Sequence, residues 1–436
     1  MKFGTDGVRG LAHDELTLAF ATRLARAVAR AFGTTTVVIG RDTRESGSAF
    51  ASALALGFGA ENVTVLDLGV APTPAVAYVC ESLDIAGVVI SASHNPWHDN
   101  GLKVFAPGGE KLTDKQQAGV EALLEEHATE QTDDASLTTV GYESGLDGYM
   151  NHIVGALEGR SLAGQHIVLD CANGAVSPFA PALFEALGAT VSAIHADPDG
   201  RNINEACGST DLTDLQAKVI AVGADLGLAF DGDADRVLAV SNTGEVVDGD
   251  TIIALLAIDL AAAGTLVENT VVVTVMTNLG FHRAMHAKGI TVDITRVGDR
   301  YVLESLGANG WVLGGEQSGH IIYRRFATTG DGMLAGALLA DLVQRDERSL
   351  DEMHQILQPV PQYLVNVPVA GDAQIALDAM QDEIALCDAE LADSGRVLVR
   401  ASGTEPLLRV MVEADDAARA ATITDRLVRA AQIAVS

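Results

Sequence analysis

Short runs rich in β-branched residues alternate with longer apolar stretches of helical composition along most of the chain. Each run is apolar and then breaks into glycine and polar residues, and several of the stretches between runs have a glycine near their end, as helices do. This alternation predicts three consecutive α/β units. Their predicted strands are, set by set, "TTTVVIGRD", "NVTVLDLG" and "AGVVISAS"; "HIVLDCANG", "ATVSAIHAD" and "ADLGLAFDGDAD"; "TVVVTVMTN", "ITVDITRVGD" and "GWVLGGEQS".

The third predicted strand of each set ends in the most polar loop of its unit. These loops are "SASHNP", "DGDADR" and "GGEQSGH". Ligands of open α/β sheets gather at the carboxyl ends of the strands. Three similar units could therefore offer these three loops to one shared cleft.

The pattern changes near Pro359 and Pro361, where shorter strand-like runs and a final helix follow. This end of the chain predicts a smaller α+β domain. The polar, weakly periodic stretch from Glu130 to Gly148 is interpreted as a linker. The predicted fold class is α/β, with three similar α/β domains on mixed sheets and a smaller C-terminal α+β domain around a central cleft. The predicted domain boundaries are 1–145, 146–248, 249–358 and 359–436.

Composition narrows the possible partners of the protein. Hydrophobic residues make up 48% of the 436 residues, which excludes a disordered chain, and the formal net charge is −31 at pH 7. Such a charge argues against DNA, RNA or an anionic membrane surface as a partner. An acidic, solvated surface of this kind is typical of a halophilic protein.

No segment of the chain predicts secretion or membrane insertion. The start "MKFGTDGVRG" lacks the apolar core of a signal peptide. The longest apolar stretch, "TIIALLAIDLAAAGTLV", carries Asp259 in its middle and is shorter than the ~20 residues of a membrane span. It predicts a buried helix. The four cysteines are far apart and form no CxxC pair, so we predict neither a zinc site nor a disulfide framework, and a cytoplasmic location.

The loop "DGDADR" places Asp231, Asp233 and Asp235 two residues apart. On a straight strand such neighbours are about 7 Å apart, too far for one ion, but the small residues between them allow the chain to curl. Three carboxylates without histidine or cysteine suit Mg²⁺. An EF-hand is excluded, because Arg236 and Asn242 occupy the positions of its glycine and glutamate. The alternative is a solvated acidic turn.

Two further loops suit a sugar phosphate. "RASGTEPLLR" offers backbone N–H groups, two hydroxyls and two flanking arginines, which can form a phosphate cradle. "GGEQSGH" supplies groups for sugar hydroxyls or an amino group. Plain polar turns are the alternative for both loops.

The loop "SASHNP" raises the question of a nucleophile. On an extended chain Ser93 and His94 should point to opposite sides, which argues against a hydrolase pair. His94 and His98 have helical metal-ligand spacing, but Pro96 forbids the helix. The remaining chemical interpretation is Ser93 as a phosphoryl carrier, with a polar turn as the alternative.

Taken in order, "SASHNP", "DGDADR", "GGEQSGH" and "RASGTEP" resemble the motifs of the α-D-phosphohexomutase superfamily along nearly the whole chain. Within it, "FGTDGVRG", "VGDRYV", "GGEQSGH" and "GTEPLLRVMVE" are most similar to phosphoglucosamine mutases. The resemblance implies four domains around a deep cleft, which carry in turn the phosphoserine, the metal, the sugar and the distal phosphate.

The resemblance also implies roles for individual residues. It implies a phosphoserine at Ser93, with one Mg²⁺ held by Ser93, Asp231, Asp233 and Asp235. Catalytic residues next to it would be Arg9, His94 and Lys103, with Lys103 as the expected general acid or base. The implied substrate-binding residues are Arg236, Glu316, Ser318, His320, Arg400, Ser402, Gly403, Thr404 and Arg409.

The implied reaction is the interconversion of glucosamine 6-phosphate and glucosamine 1-phosphate through a hexose 1,6-bisphosphate, which also serves as activator. The alternatives are a phosphomannomutase or phosphoglucomutase of the same superfamily, a non-catalytic sugar-phosphate sensor and a Mg²⁺-dependent phosphatase. The expected partners are small sugar phosphates, and the protein is expected to be a monomer or homodimer.

Overall fold

All nine predicted runs of the three α/β units form β-strands. Their positions come from a computed structural model, which describes residues 3–4, 7–126, 138–369, 371–401 and 407–434. The chain divides into two units. Unit 1 comprises Met1–Met276 and Gly289–Gln355, and unit 2 comprises Thr277–Lys288 and Ile356–Ser436.

The first sheet of unit 1 is mixed. Its strands are β1 (Val8–Leu11), β2 (Thr36–Arg41), β3 (Thr64–Val70), β4 (Ala86–Ile90), β5 (Asp99–Phe105) and β6 (Thr139–Gly141). In the described residues their order is β1-β5-β4-β2-β3-β6, with β5 antiparallel to both of its neighbours. Strand β4 is buried along its whole length, which explains its uninterrupted apolar sequence. The helices that alternate with the strands of this sheet are α1 (Leu18–Phe32), α2 (Gly47–Ala60), α3 (Thr73–Leu83) and α4 (Asp114–Glu126).

The second and third sheets of unit 1 are also mixed. The second has the order β11-β10-β9-β7-β8 and is built from β7 (His166–Asp170), β8 (Thr190–Ile194), β9 (Leu226–Phe230), β10 (Val237–Ser241) and β11 (Val246–Val247). The third has the order β13-β12-β14-β15 and is built from β12 (Thr270–Thr274), β13 (Thr291–Thr295), β14 (Leu313–Gly315) and β15 (Ile321–Tyr323). In both sheets the polar loop after the third predicted strand leads into an antiparallel partner.

Helices α5 to α12 continue the chain in order. They are α5 (Glu143–Ala156), α6 (Ala180–Ala186), α7 (Thr213–Val222), α8 (Gly249–Ala262), α9 (Leu279–Ala287), α10 (Asp299–Asn309), α11 (Gly332–Arg345) and α12 (Leu350–His354), of which α9 belongs to unit 2. Three short 3₁₀ turns lie at Gly208–Thr210, Val267–Asn269 and Ala392–Ser394. Most of the longest apolar stretch forms α8, and most residues of this helix are buried. The predicted buried helix is therefore confirmed. Among the helices described, none has the length and hydropathy to cross a membrane.

Part of the predicted linker is ordered structure. Strand β6 joins the edge of the first sheet beside β3, and α5 begins at Glu143. The interpretation as a linker is therefore wrong for residues 139–148, while residues 127–137 lie outside the described part of the chain.

Unit 2 is a small antiparallel sheet covered by helices. Its strands are β16 (Gln362–Pro368), β17 (Gly395–Ala401) and β18 (Leu407–Ala414), in the order β16-β18-β17. The helices α13 (Ala373–Ala379), α14 (Gln381–Leu391) and α15 (Ala417–Ala434) complete it. Val410 and Val412 of β18 share a core with Leu427 of α15. The fold class predicted from the sequence, mixed α/β sheets followed by a smaller α+β domain, is confirmed.

Candidate functional site

The loop after β4 turns the Ser93 side chain towards the loop "DGDADR" that follows β9. Ser91 Oγ donates to Asp42 Oδ2 at 2.6 Å and accepts the Ser93 N–H at 2.9 Å. Ser93 adopts a left-handed backbone conformation with φ of 55°. Its hydroxyl, buried at 1% exposure, donates to Asp231 Oδ2 at 2.6 Å. Two motifs that are far apart in the sequence therefore meet at one hydrogen bond.

His94 lies on the same side as Ser93. Its Nδ1 is 3.3 Å from Ser93 Oγ, so the prediction that the two side chains point apart is wrong. The reason is the left-handed conformation of Ser93, which breaks the alternation of an extended chain. Burial, followed by the charges of Arg236 and Arg9, lowers the pKa of His94 to about 4. The ring is therefore neutral at pH 7 and offers Ser93 an uncharged hydrogen-bonding partner.

A buried arginine that the sequence analysis missed holds this loop. Arg44 Nη2 donates to the carbonyls of Ser93 at 3.0 Å and Asn95 at 2.8 Å, and Nη1 donates to the carbonyls of Pro96 and Asp99. Its Nε donates to Asp42 Oδ2 at 2.8 Å. Arg44 follows β2, which pairs in parallel with β4, so both strands end at the same edge of the sheet. The polar run "GRDTR" at the end of β2 therefore indicated that one of its residues could contact the Ser93 loop.

Asn204, from the segment between β8 and α7, supports the same loop. Its Nδ2 donates to the carbonyls of Ser93 at 2.9 Å and Asn95 at 3.0 Å. The approach is close, because a Cβ on Gly232 would lie 2.6 Å from the Ser93 carbonyl oxygen. A glycine in the "DGDADR" loop therefore lets the two loops touch.

The three aspartates of that loop converge as predicted. One carboxylate oxygen from each lies within 4.8 Å of the others, and all three side chains are buried. Ala234, with φ of 55°, provides the curl between them. Burial at this depth rules out the alternative of a solvated acidic turn.

The carboxylates of this loop fit a divalent cation. Burial, with the charges of Asp235 and Asp233, raises the pKa of Asp231 to about 8. Asp233 Oδ1 and Asp235 Oδ1 are buried and have no hydrogen-bond partner among the described residues. Such a crowd of like charges is relieved by a cation, and an all-oxygen donor set suits Mg²⁺.

Lys103 lies among these carboxylates. Its Nζ is 2.7 Å from Asp233 Oδ2 and 2.8 Å from Asp235 Oδ2, and the side chain is 2% exposed. Burial opposes the charge of Asp235, but Lys103 and His320 hold the pKa of Asp235 well below its usual range. Thr73, which the sequence analysis missed, donates from Oγ1 to Asp233 Oδ2 at 2.5 Å.

The loop "GGEQSGH" lies beside the aspartates. His320 is buried, with Nδ1 3.5 Å from Asp235 Oδ1 and Nε2 3.4 Å from Asp299 Oδ2. Although burial opposes it, these two carboxylates raise the pKa of His320. Glu316 Oε1 accepts the backbone N–H of Gly298 at 3.1 Å.

Ser318 and Arg236 complete this part of the site. Ser318 is exposed at the tip of the "GGEQSGH" loop. The Val237 N–H donates to the Gly319 carbonyl at 3.0 Å, which ties that loop to the strand after the aspartates. Burial disfavours the charge of Arg236, but Asp235 and Asp231 raise its pKa. The guanidinium therefore stays charged beside the carboxylates.

Two predicted phosphate ligands lie in unit 2. Arg400 of β17 and Arg409 of β18 are direct cross-strand partners. Burial and the charge of Arg409 lower the pKa of Arg400, and Arg400 Nε is buried without a hydrogen-bond partner in the described residues. Two like charges held side by side favour an anion as ligand. The predicted ligands Ser402, Gly403 and Thr404 lie outside the described part of the chain.

The sequence matches family profiles along most of its length. In chain order they describe phosphoglucomutase/phosphomannomutase alpha/beta/alpha domain I at residues 1–131, domain II at 147–244, domain III at 248–360 and the C-terminal domain at 364–430.

Several curated proteins are similar over nearly the whole chain. Phosphoglucosamine mutase of Nocardia farcinica is 48% identical in an alignment of 441 positions that covers 96% of each chain. The protein of the same name from Rhodococcus erythropolis is 50% identical in an alignment of 438 positions that covers 98% of each chain. That of Streptomyces griseus is 48% identical in an alignment of 441 positions that covers 98% of this chain and 97% of the relative.

Solved structures share the fold. A phosphoglucomutase/phosphomannomutase family protein from Burkholderia thailandensis has a TM-score of 0.85 at 27% identity, covering 99% of this chain and 97% of its own. N-acetylphosphoglucosamine mutase of Aspergillus fumigatus, crystallised with GlcNAc-6P and magnesium, has a TM-score of 0.71 at 18% identity, covering 100% and 96%.

Proposed function

The chain belongs to the phosphoglucomutase/phosphomannomutase family, and we propose that it interconverts glucosamine 6-phosphate and glucosamine 1-phosphate as an enzyme of the isomerase class. Relatives of about 48% identity over nearly the full chain, named phosphoglucosamine mutases, support this substrate. The observation that carries the proposal is the buried Ser93 hydroxyl, 2.6 Å from a carboxylate of a three-aspartate cluster. A phosphoryl carrier needs this neighbourhood of a nucleophilic oxygen and a cation site.

We propose that Asp231, Asp233 and Asp235 hold one Mg²⁺ together with a phosphate oxygen on Ser93. When bound, the ion neutralises charge on the phosphoryl group, which is the main requirement of phosphoryl transfer. Arg236 adds a fixed positive charge around the same group.

In the proposed reaction, phospho-Ser93 transfers its phosphoryl group to the C1 hydroxyl of glucosamine 6-phosphate. The bond from phosphorus to Ser93 Oγ breaks while the bond to the sugar oxygen forms. The hydroxyl proton passes to an unprotonated base and from there to Ser93 Oγ, which becomes a hydroxyl again. Lys103 remains our prediction for the proton-handling group, since its amine belongs to the same cluster as the aspartates. His94, neutral at pH 7, can hydrogen-bond the departing Ser93 oxygen.

The resulting 1,6-bisphosphate turns around and returns its other phosphoryl group to Ser93. The sugar is held by Glu316 and Ser318, with His320 next to them. The distal phosphate is held by Arg400 and Arg409 with the loop Ser402–Thr404, and Arg9 assists at Ser93. Four domains, with the boundaries 1–145, 146–248, 249–358 and 359–436, would carry these parts. A clamp that binds phosphate without reading its position on the sugar suits both orientations.

Mass spectrometry and a coupled mutase assay test the proposal together. We expect one phosphate on the peptide that contains Ser93, and loss of mutase activity in Ser93→Ala. The matched control is Ser52→Ala, since Ser52 is an exposed serine of α2 and should keep full activity. Chelation should abolish activity, and Mg²⁺ should restore it. Wild-type turnover by Ser93→Ala would refute the mechanism.

Substrate competition separates the alternatives. Faster turnover of mannose 1-phosphate than of glucosamine 1-phosphate would make the protein a phosphomannomutase. Net release of phosphate without isomerisation would make it a phosphatase. A protein that binds sugar phosphates but turns none over would be a sensor.

A further inference from the structure

A second group of metal-ligating side chains lies at the second sheet of unit 1, apart from the aspartates of the "DGDADR" loop. Asp170 ends β7, His195 follows β8, and Cys207 precedes the 3₁₀ turn Gly208–Thr210. One ligand atom from each of these three side chains lies within 4.8 Å of the others. Asp170 and Cys207 are fully buried, while the His195 side chain is 23% exposed. Nothing in the proposed reaction uses these residues.

The imidazole of His195 lies between two carboxylates. Its Nδ1 is buried and lies 3.1 Å from Asp170 Oδ2, on the side of the ring that faces Asp170 and Cys207. On the other side of the ring, Nε2 is 3.2 Å from Asp214 Oδ2. A histidine bound to a metal characteristically has its second ring nitrogen next to such a carboxylate. This leaves Nδ1 as the ligating atom, directed into the group.

Asp170 is held rigidly in place. Its Oδ1 accepts the backbone N–H of Ala172 at 2.9 Å, and its Oδ2 accepts the backbone N–H of Gly208 at 2.9 Å. Each carboxylate oxygen has a second lone pair left for another partner. The carboxylate is therefore preorganised beside both the histidine and the cysteine.

The electrostatic field around Cys207 favours a cation. The buried Cys207 thiol lies in the negative field of the Asp170, Asp211 and Asp214 carboxylates. The carboxylates that oppose a bare thiolate attract a divalent ion, whose charge would stabilise that thiolate.

We propose that Asp170, His195 and Cys207 form a binding site for a divalent cation of the Zn²⁺ class. Oxygen, imidazole and thiolate together suit Zn²⁺ and disfavour Mg²⁺. Bonds of about 2.0–2.3 Å require ligand atoms about 3.5 Å apart, which a small inward movement achieves. Binding releases the Cys207 proton to solvent. A pocket of about 350 Å³ lined in part by His195, Asp214 and Lys218 would let water supply a further ligand.

A cation at this position would stabilise the loops that support Ser93. Ala172 accepts the backbone N–H of Asn204 at 3.0 Å, and the Asn204 side chain holds the Ser93 loop. The Ala175 N–H donates to the Gly232 carbonyl at 2.8 Å, inside the "DGDADR" loop. We therefore assign the site a structural role at the ends of β7 and β8.

Cobalt spectroscopy tests the site on the full-length protein, stripped with chelator and then saturated with Mg²⁺. One equivalent of Co²⁺ should produce a thiolate-to-cobalt charge-transfer band in the near ultraviolet. Zn²⁺ should displace the Co²⁺, abolish the band and raise the Tm of the protein. Absence of the band in the wild-type protein overturns the proposal.

Variants assign the band to its ligands. Cys207→Ser and His195→Gln should lose it, and Zn²⁺ should then no longer raise the Tm. The matched control Cys80→Ala removes a buried thiol of the first domain, and Asp231→Asn alters the aspartates of the "DGDADR" loop; both should keep the band. His195→Gln serves if Cys207→Ser does not fold. A band retained in both ligand variants, or lost in Cys80→Ala, refutes the site.

Discussion

Replacing Arg44 by leucine tests whether this buried arginine holds the Ser93 loop in its reactive conformation. The guanidinium makes four hydrogen bonds to backbone carbonyls of the loop and one to Asp42 Oδ2. Neither side chain of the Arg44–Asp42 pair is exposed to solvent. In Arg44→Leu these carbonyls lose the arginine as a donor, so that those of Ser93 and Asn95 keep the Asn204 amide. Asp42 keeps only the Ser91 hydroxyl as a side-chain partner.

The magnitude follows from the burial of the pair. A hydrogen bond with one charged partner contributes about 1.5–3 kcal/mol, but bonds that share one side chain are not additive. Breaking a buried ion pair costs about 3–5 kcal/mol, and we expect this loss in the free energy of unfolding. A displacement of about 1 Å at the reacting atom lowers kcat about 100-fold, which is the expected catalytic effect.

Urea denaturation and a steady-state mutase assay measure the two effects. Arg41→Leu is the matched control. Arg41 is the last residue of β2, the strand just before Arg44, and it forms an ion pair with Asp67 at 3.1 Å. Both side chains of this pair are about one-quarter exposed. That pair is worth about 0–1 kcal/mol, so kcat and stability should stay close to wild type. Arg44→Lys keeps the charge without the planar fork and should fall in between. A folded Arg44→Leu protein with wild-type kcat would refute the reasoning.

Two further predictions concern Asp331 and unit 2. Burial, only partly offset by hydrogen bonds such as that from Tyr149, raises the pKa of Asp331 from 3.8 to about 6. The Asp331 proton therefore stabilises the folded state below about pH 4. About 3 kcal/mol of this stability is lost as the pH rises through about 6. Urea titrations between about pH 4 and about pH 7 should therefore show a shallower fall in stability with pH for Asp331→Asn than for wild type, and parallel profiles would contradict this. Arg400→Ala removes one of the two adjacent positive charges proposed to bind the phosphate, so KM for the sugar phosphate should rise roughly tenfold. The stability of unit 2 should stay unchanged, since the lost charge lies beside a like charge. Arg396→Ala, on the same strand, should show the opposite pattern. The free energy of unfolding should fall by about 3–5 kcal/mol at unchanged KM, because the variant breaks a 2.6 Å ion pair with buried Glu413. Equal effects of the two variants on KM and stability would refute the assignment of Arg400 to phosphate binding.

The parts of the fold that sequence reasoning recovered are those with a local signal. Nine apolar runs and the buried helix α8 were visible because strand and helix composition is read within a few residues. The antiparallel partners β5, β10 and β15 were not identified, since each follows a polar loop closely and continues its unit without a helical stretch before it. Lys103 stands on β5, so its pairing with two of the aspartates depends on a strand that the pattern did not reveal.

The residues that were missed recognise backbone atoms or come from strand ends. Arg44 and Asn204 bind carbonyl groups, which every residue possesses, so no complementary side chain in the sequence announces the contact. The position of a residue just after a strand better predicts which residues it contacts, because parallel neighbouring strands end at the same edge of a sheet. Arg44 lies just after β2 beside β4, and Asp170 and His195 lie at the ends of the parallel pair β7 and β8. A site assembled in this way is encoded by the residues at the carboxyl end of each strand, so a search for ligand spacing such as CxxC passes over it.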